Sequence, residues 1–183
     1  MLAPLPFHTW KHNNWVNSFT VDQLSALKPQ KVWDVGCGDG FYGKLVKHIL
    51  PTASVSGIEL NPRWASHCKK LNIYDKILEV GIEDAIKLDI FAENDLIIFG
   101  DVLEHLEKEN MTFVLSEAVR KVKYVIINGP VGFQPQDHPD PEEIHRCGVT
   151  KADFSNYTIV EYNESNFTEH TNQMMNCVLT EIK

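Results

Sequence analysis

The chain has 183 residues, a formal net charge of −8, and 43 % hydrophobic against 23 % charged residues. That is enough apolar content for one domain with a core, and it argues against a disordered or low-complexity chain. The acidic balance argues against a protein that holds nucleic acid by charge, and no apolar run approaches the roughly 18 residues that cross a bilayer. Met1 to Trp10 carries two prolines and no basic cluster ahead of an apolar stretch, so it does not read as a signal peptide. Lys69-Lys70 and Lys121-Val122-Lys123, the densest basic clusters, read as solvated helix faces or ends. Cys37, Cys68, Cys147 and Cys177 form no Cys-x-x-Cys pair, so neither a zinc site nor a redox dithiol is expected. Such spacing suits a reducing compartment, and a cytoplasmic location is the expectation.

In chain order, Trp15 to Leu27 has rough helical spacing and ends before Lys28-Pro29. Lys31 to Val35 is a short β-prone run between Pro29 and a glycine cluster, and reads as a strand. Phe41 to Leu50 reads as a helix stopped by Pro51, Ser54 to Leu60 as a strand, and Arg63 to Leu71 as a helix after Pro62. Lys76 to Val80 is a strand, Glu83 to Leu88 a short helical turn, and Asp95 to Phe99 a near-continuous apolar strand buried on both faces. Met111 to Val119 is a helix and Tyr124 to Ile127 another buried strand. This alternation predicts a parallel sheet with helices on both faces. Val131 to Gly148, rich in proline, histidine and acids, reads as a long functional loop. Thr150 to Tyr157 reads as a last helix with Thr150 as N-cap and Asp153 three residues on. Thr158 to Glu164 and Met174 to Ile182 close the chain as an antiparallel pair of strands joined by the polar stretch Ser165 to Gln173.

The strongest motif is Asp34-Val35-Gly36-Cys37-Gly38-Asp39-Gly40, placed where a strand ends and a helix begins. Glycine permits the sharp turn and a close approach of backbone to ligand, and the helix beyond offers free N–H groups. Gly38-Asp39-Gly40-Phe41-Tyr42-Gly43 also matches the Gly-x-Gly-x-x-Gly pattern of dinucleotide sites. Asp34 and Asp39 count against a pyrophosphate there, because they would repel it. A cationic ligand without phosphates would tolerate or prefer them.

From about Lys31 to Pro130 the chain resembles the class I methyltransferases, which use S-adenosylmethionine. The resemblance implies a three-layer Rossmann-like α/β fold, its sheet mostly parallel with a C-terminal antiparallel hairpin strand. Chain length predicts one domain over residues 1–183, with 1–30 expected as a helical lid and 131–148 as an active-site loop. The resemblance further implies that Gly36, Gly38 and Gly40, with Cys37 between them, approach the amino-acid end of the cofactor, and that Asp34 helps to hold the ammonium. Glu59, about 20 residues past the glycine loop with Leu60 beside it, is where an acid grips ribose hydroxyls. Ile82 and Glu83, or alternatively Asp84, fall where the family recognises adenine. Asp101 follows the fourth strand and would lie near the sulfonium or the acceptor. The Asn/Asp-Pro-Pro-Tyr/Phe motif of base-amine methyltransferases is absent at that point, which disfavours that chemistry.

Methyl transfer requires in-line placement of a nucleophile and often removal of its proton. His105, His138 and His145 are the candidate bases, with Asp101, His105 and His145 the expected catalytic set. Glu142-Glu143-Ile144-His145 resembles a tail found in some small-molecule methyltransferases. Asp101, Glu104 and His105 with a distant histidine resemble a divalent-ion set of some small-RNA 3′-end and quinone-precursor methyltransferases. The same letters occur in members without metal, and no metal is expected. Trp10, Trp15 and Phe19 could line an acceptor pocket or simply pack. The expected activity is transfer to oxygen or nitrogen of a small molecule, since no appended domain for a macromolecule is evident. The alternatives are a macromolecular methyltransferase with a recruiting partner, a non-catalytic S-adenosylmethionine-binding protein and, least in keeping with the acids, a nicotinamide-dependent dehydrogenase.

Overall fold

A computed structural model of the protein describes residues 14–92, 95–166 and 173–182. One seven-stranded sheet organises it: β1 (Lys31–Val35), β2 (Ser54–Ile58), β3 (Lys76–Leu78), β4 (Leu96–Gly100), β5 (Tyr124–Pro130), β6 (Tyr157–Asn166) and β7 (Gln173–Ile182). Its strand order is β3-β2-β1-β4-β5-β7-β6. β1 to β5 pair parallel, whereas β7 runs antiparallel to both β5 and β6. The order reverses between β1 and β4, so a crevice opens at their carboxyl ends, where such sheets bind ligands.

The apolar runs of β1, β4 and β5 work because alternate residues feed two cores. Val32, Leu96, Ile98 and Ile126 join Phe19, Leu24, Leu45 and Val46 from α1 (Asn14–Leu27) and α2 (Phe41–Ile49). Trp33, Val35, Ile97, Phe99, Val125 and Ile127 face the other way, onto Ala85 and Ile86 near α4 (Ile82–Ala85) and Met111, Val114, Leu115 and Ala118 of α5 (Lys108–Lys121). Each such side chain, fully buried, contributes roughly 1.5–3 kcal/mol, so both cores pin the strand ends that carry the site. α3 (Pro62–Lys70) starts at Asn61, whose side chain accepts from the Arg63 N–H at 3.0 Å, with Pro62 at the first helical position.

One expected element is corrected. The segment from Thr150 is a single 3-10 turn over Lys151–Phe154, not a helix to Tyr157. The Thr150–Asp153 capping box does form, but Tyr157 already pairs with Ile182 in the sheet, which ends the turn. The expected helical turn at Glu83 is likewise short, α4 being one turn that begins at Ile82. Trp10 and the side chain of Trp15 lie outside the described residues, and Phe19 is buried in the core against α2.

Candidate active site

The glycine loop joins β1 to α2 through three left-handed residues, Gly36 (φ 64°), Gly38 (φ 49°) and Gly40 (φ 82°). A Cβ at Gly36 would stand 2.5 Å from Val102 Cγ2, so the loop is wedged against the segment leaving β4. At Gly38 a Cβ would meet only the Gly36 carbonyl at 3.7 Å and otherwise open space, so this glycine shows bare backbone to the crevice. The Ile58 carbonyl accepts from the N–H groups of Gly36 (2.8 Å) and Cys37 (3.2 Å), fixing the loop to the end of β2. Cys37 is buried, its sulfur 3.4 Å from that of Cys68 on α3.

Glu59, 8 % exposed, leaves β2 beside that loop. Its Oε2 accepts from the Gly38 N–H at 2.9 Å and its Oε1 from the Asn61 N–H at 2.8 Å. Each oxygen keeps a second lone pair, the number two ribose hydroxyls require. Burial raises its pKa, the two N–H donors oppose that, and nearby Glu143 and Glu142 add to the rise. Leu60 beyond it is half exposed. Ile82 is buried at the start of α4, Glu83 accepts from Asn110 Nδ2 at 3.2 Å, and Asp84 points to the surface, ion-paired with Lys87 at 2.9 Å. Of the two candidate adenine acids, Glu83 is therefore the one not drawn into a surface ion pair.

Asp34 sits under the glycine loop, accepting from Tyr74 Oη (2.6 Å) and the Gly43 N–H (2.9 Å). Its other oxygen is buried with no hydrogen-bond partner among the described residues. Burial pushes its carboxyl up to about 7; those two donors pull it down, and Glu59 and Asp39 push it further up. The charged neighbours acting on Asp34 and Glu59 are thus all acids. A sulfonium and an ammonium fit such a crevice, and a pyrophosphate does not. By charge, by the bare backbone at Gly38 and by the spare lone pairs of Glu59, the residues present fit S-adenosylmethionine.

The other half of the crevice follows β4. Asp101 takes up a left-handed conformation (φ 54°) with its N–H donated to the Asn128 carbonyl at 2.9 Å. This turn delivers the 3-10 segment Leu103–His105. Burial pushes the Asp101 carboxyl up to about 7 and, with Asp101 beside it, pushes that of Glu104 well above the usual carboxylate range. The loop after β5 folds back here, since the Arg146 and Cys147 N–H groups donate to the Glu104 carbonyl at 2.8 and 3.1 Å. The His105 and His145 rings consequently meet edge to face, centroids 4.9 Å apart. Burial holds His105 down to about 4, with His145, Arg146 and His138 adding to the effect and the Ile144 carbonyl opposing it. His138 stands apart from the pair, its Nδ1 accepting from the Asp140 N–H at 3.1 Å.

The same loop reaches the end of β2, where Asn61 Nδ2 donates to Asp140 Oδ2 at 3.1 Å. Between them a cleft of about 690 Å³ opens, lined by Asn61, Arg63, Trp64, His138, Asp140 and Glu143 among others. Asn61 escaped the sequence reading, although Asn-Pro two residues past Glu59 is a readable helix start. Tyr42 escaped it too: it is buried with its ring against the backbone of Gly100, one residue before Asp101, and its position on α2 gives no chemical hint.

Residues 33–124 match a family model described as a methyltransferase domain. Among solved structures, the plantazolicin methyltransferase BpumL in complex with SAH is similar at 14 % identity and TM-score 0.64, over 91 % of this chain and 82 % of that one. The N-methyltransferase NodS from Bradyrhizobium japonicum WM9 is similar at 15 % identity and TM-score 0.63, over 93 % and 99 %. Magnesium protoporphyrin IX methyltransferase (ChlM) from Synechocystis PCC 6803, with bound SAM, is similar at 16 % identity and TM-score 0.60, over 95 % and 88 %. The chain belongs to the methyltransferase-domain family, and it is a Rossmann-like, S-adenosylmethionine-dependent enzyme.

Proposed function

We propose that this enzyme transfers the methyl group of S-adenosylmethionine to an oxygen or nitrogen of a small-molecule acceptor held between the β4 turn and the 131–148 loop. The observation that carries the reading is the meeting of His105 with His145, ring centroids 4.9 Å apart, beside Glu104, whose carboxyl in turn feels Asp101. Gly36, Cys37, Gly38 and Gly40 approach the amino-acid end of the cofactor, with Asp34 supplying negative potential beneath it. Glu59 takes the ribose hydroxyls, with Leu60, Ile82 and Glu83 along the adenosine side; Asp84, at the surface, is the weaker candidate. Asp101 lies by the reacting centre. His105 and His145 activate the acceptor, each imidazole offering one ring nitrogen to its proton.

A small acceptor is supported by the way the loop closes the crevice, and by neighbours whose names specify small substrates, such as a mitomycin 7-O-methyltransferase and the magnesium protoporphyrin IX enzyme. The chain works as one domain in this reading, with residues 1–30 as a lid. Among the described residues no helix is long and apolar enough to cross a membrane. A cytoplasmic setting belongs to the same reading, in keeping with four buried free thiols.

The test is an acceptor screen with methyl-labelled S-adenosylmethionine, resolving label in small molecules from label in protein or RNA. Label in a small molecule, lost on His105→Ala and His145→Ala, is the expected result. Label found only in macromolecules, or S-adenosylhomocysteine binding without any turnover, would overturn it.

A further inference from the structure

Glu104 is 2 % exposed, yet among the described residues it has no ion-pair partner. Its carboxylate lies against the backbone of Gly129, where even an added Cβ would stand 3.5 Å from Oε2. Asp101, a second acid, is its charged neighbour. Buried carboxylates are costly unless a cation or a set of hydrogen bonds answers them.

The two imidazoles next to it are oriented in a particular way. His105 Nδ1 faces the Ile144 carbonyl at 3.4 Å, and His145 Nδ1 faces the Gln134 carbonyl at 2.7 Å. A carbonyl only accepts, so the proton of each neutral ring sits on Nδ1 and the lone pair on Nε2. A backbone carbonyl fixing the distal N–H is the usual support of a histidine that ligates metal. One ligand atom from each of Glu104, His105 and His145 lies within 4.8 Å of the others. Ligands of a tetrahedral ion at bonds near 2.1 Å stand about 3.4 Å apart, so small side-chain rotations close the set.

We propose that Glu104, His105 and His145 hold one divalent transition-metal ion, of the zinc, cobalt, iron or manganese kind, at the acceptor end of the crevice. Two imidazoles and one carboxylate select such ions over magnesium and calcium, which prefer all-oxygen shells. Three protein ligands leave positions open for water or an acceptor atom. Asp101 is outside the set that meets, so the geometry takes a histidine 40 positions downstream of His105 and not the neighbouring acid. The site is the one assigned to the acceptor above, and the inference rests on that reading for its consequence alone. An ion held there would occupy the Nε2 lone pairs of both histidines and would itself supply the acidity that activates an acceptor hydroxyl, replacing the proton-accepting role given to the rings above. The acceptor proton would go to solvent as its oxygen takes the methyl group and the S–C electron pair stays on sulfur.

The experiment uses the untagged full chain, stripped with EDTA and titrated with cobalt(II) by visible absorption and with zinc by calorimetry. Binding of one equivalent is expected, weakened at least tenfold in His145→Ala and in Glu104→Gln, with magnesium at least a hundredfold weaker. His145→Ala lies on a surface loop and keeps the fold testable; circular dichroism on both variants checks it. No cobalt spectrum, affinity unchanged in both folded variants, or magnesium bound as well as zinc would overturn the proposal. S-adenosylhomocysteine binding is measured on the same samples: intact cofactor binding without metal binding rejects the ion alone, whereas loss of both rejects the methyltransferase reading of the site.

Discussion

Glu59 accepts the Gly38 N–H at 2.9 Å, so the acid that ends β2 and the glycine loop that follows β1 are one unit. Removing that carboxylate strips acceptors from two backbone donors, Gly38 and Asn61, and, in the proposed reading, from the ribose. Hydrogen bonds to a charged group contribute about 1.5–3 kcal/mol each. Glu59→Ala is therefore expected to weaken S-adenosylhomocysteine binding by at least about tenfold and to lower the melting temperature of the cofactor-free protein. Calorimetry and thermal denaturation read the two effects. Unchanged affinity would remove Glu59 from the cofactor site.

Gly36 and Gly38 share a left-handed backbone but face different things, and substitution separates them. Alanine in that conformation costs roughly 1–2 kcal/mol at either position. At Gly36 the new methyl also drives into Val102, adding about 1–3 kcal/mol of overpacking. At Gly38 the methyl enters open crevice. Gly36→Ala should lower the melting point by clearly more than Gly38→Ala, while Gly38→Ala loses cofactor affinity out of proportion to its lost stability. Equal melting points with equal affinities would mean that the crevice above Gly38 is not where the cofactor lies.

The placement of the glycine loop and of Glu59 in the fold was legible because its constraints are local. A strand, three glycines and a helix leave few geometries for the chain, and Glu59 follows by strand length. The continuous apolar runs at Asp95 to Phe99 and Tyr124 to Ile127 identified the central strands for the same reason, alternate residues feeding two cores. The turn after β4 was less legible, since its partners are brought together by the fold. The Glu104 carbonyl binds the Arg146 and Cys147 amides, and nothing in the letters of 101–106 says that His145, rather than His138, arrives beside His105. The segment from Thr150 shows the limit of a local signal. Its capping box formed, but sheet pairing of Tyr157 decided the length.

Arg146 ties the loop to the β4 turn, donating through its two terminal nitrogens to the carbonyls of His105 and Pro141, each at 2.6 Å. Arg146→Ala leaves Asp34, Glu59 and the glycine loop untouched but frees the segment that carries His145. The expected result is a raised KM for the acceptor and a lower kcat, with S-adenosylhomocysteine affinity within about twofold of wild type. Steady-state kinetics on the acceptor found by screening, beside calorimetry, distinguish this from a general loss of structure. A variant with wild-type kinetics would show that the loop needs no such tie.

Asp34 makes stability depend on pH in a direction opposite to an ordinary ion-paired carboxylate. Its folded pKa is raised from 3.8 to about 7, so the folded state binds the proton more tightly than the unfolded chain. Its contribution is complete below about pH 3.8 and is lost as pH rises through 7, by on the order of 4 kcal/mol if no ligand intervenes. The groups that act on it among the described residues are Tyr74, the Gly43 N–H, Glu59, Asp39, Cys37 and Tyr42, none of them a cation. Other buried acids, Asp101 and Glu104 among them, tilt the curve the same way, so the measurement is the difference between wild type and Asp34→Asn. Between pH 5 and 8 the melting temperature of wild type should fall more steeply than that of the variant. If the ammonium of S-adenosylhomocysteine lies above Asp34 as proposed, it favours the ionised carboxylate, so the stabilisation it confers should grow over the same interval in wild type and less in Asp34→Asn. Parallel curves with and without the ligand would mean that Asp34 does not change ionisation in this range and does not sense the cofactor.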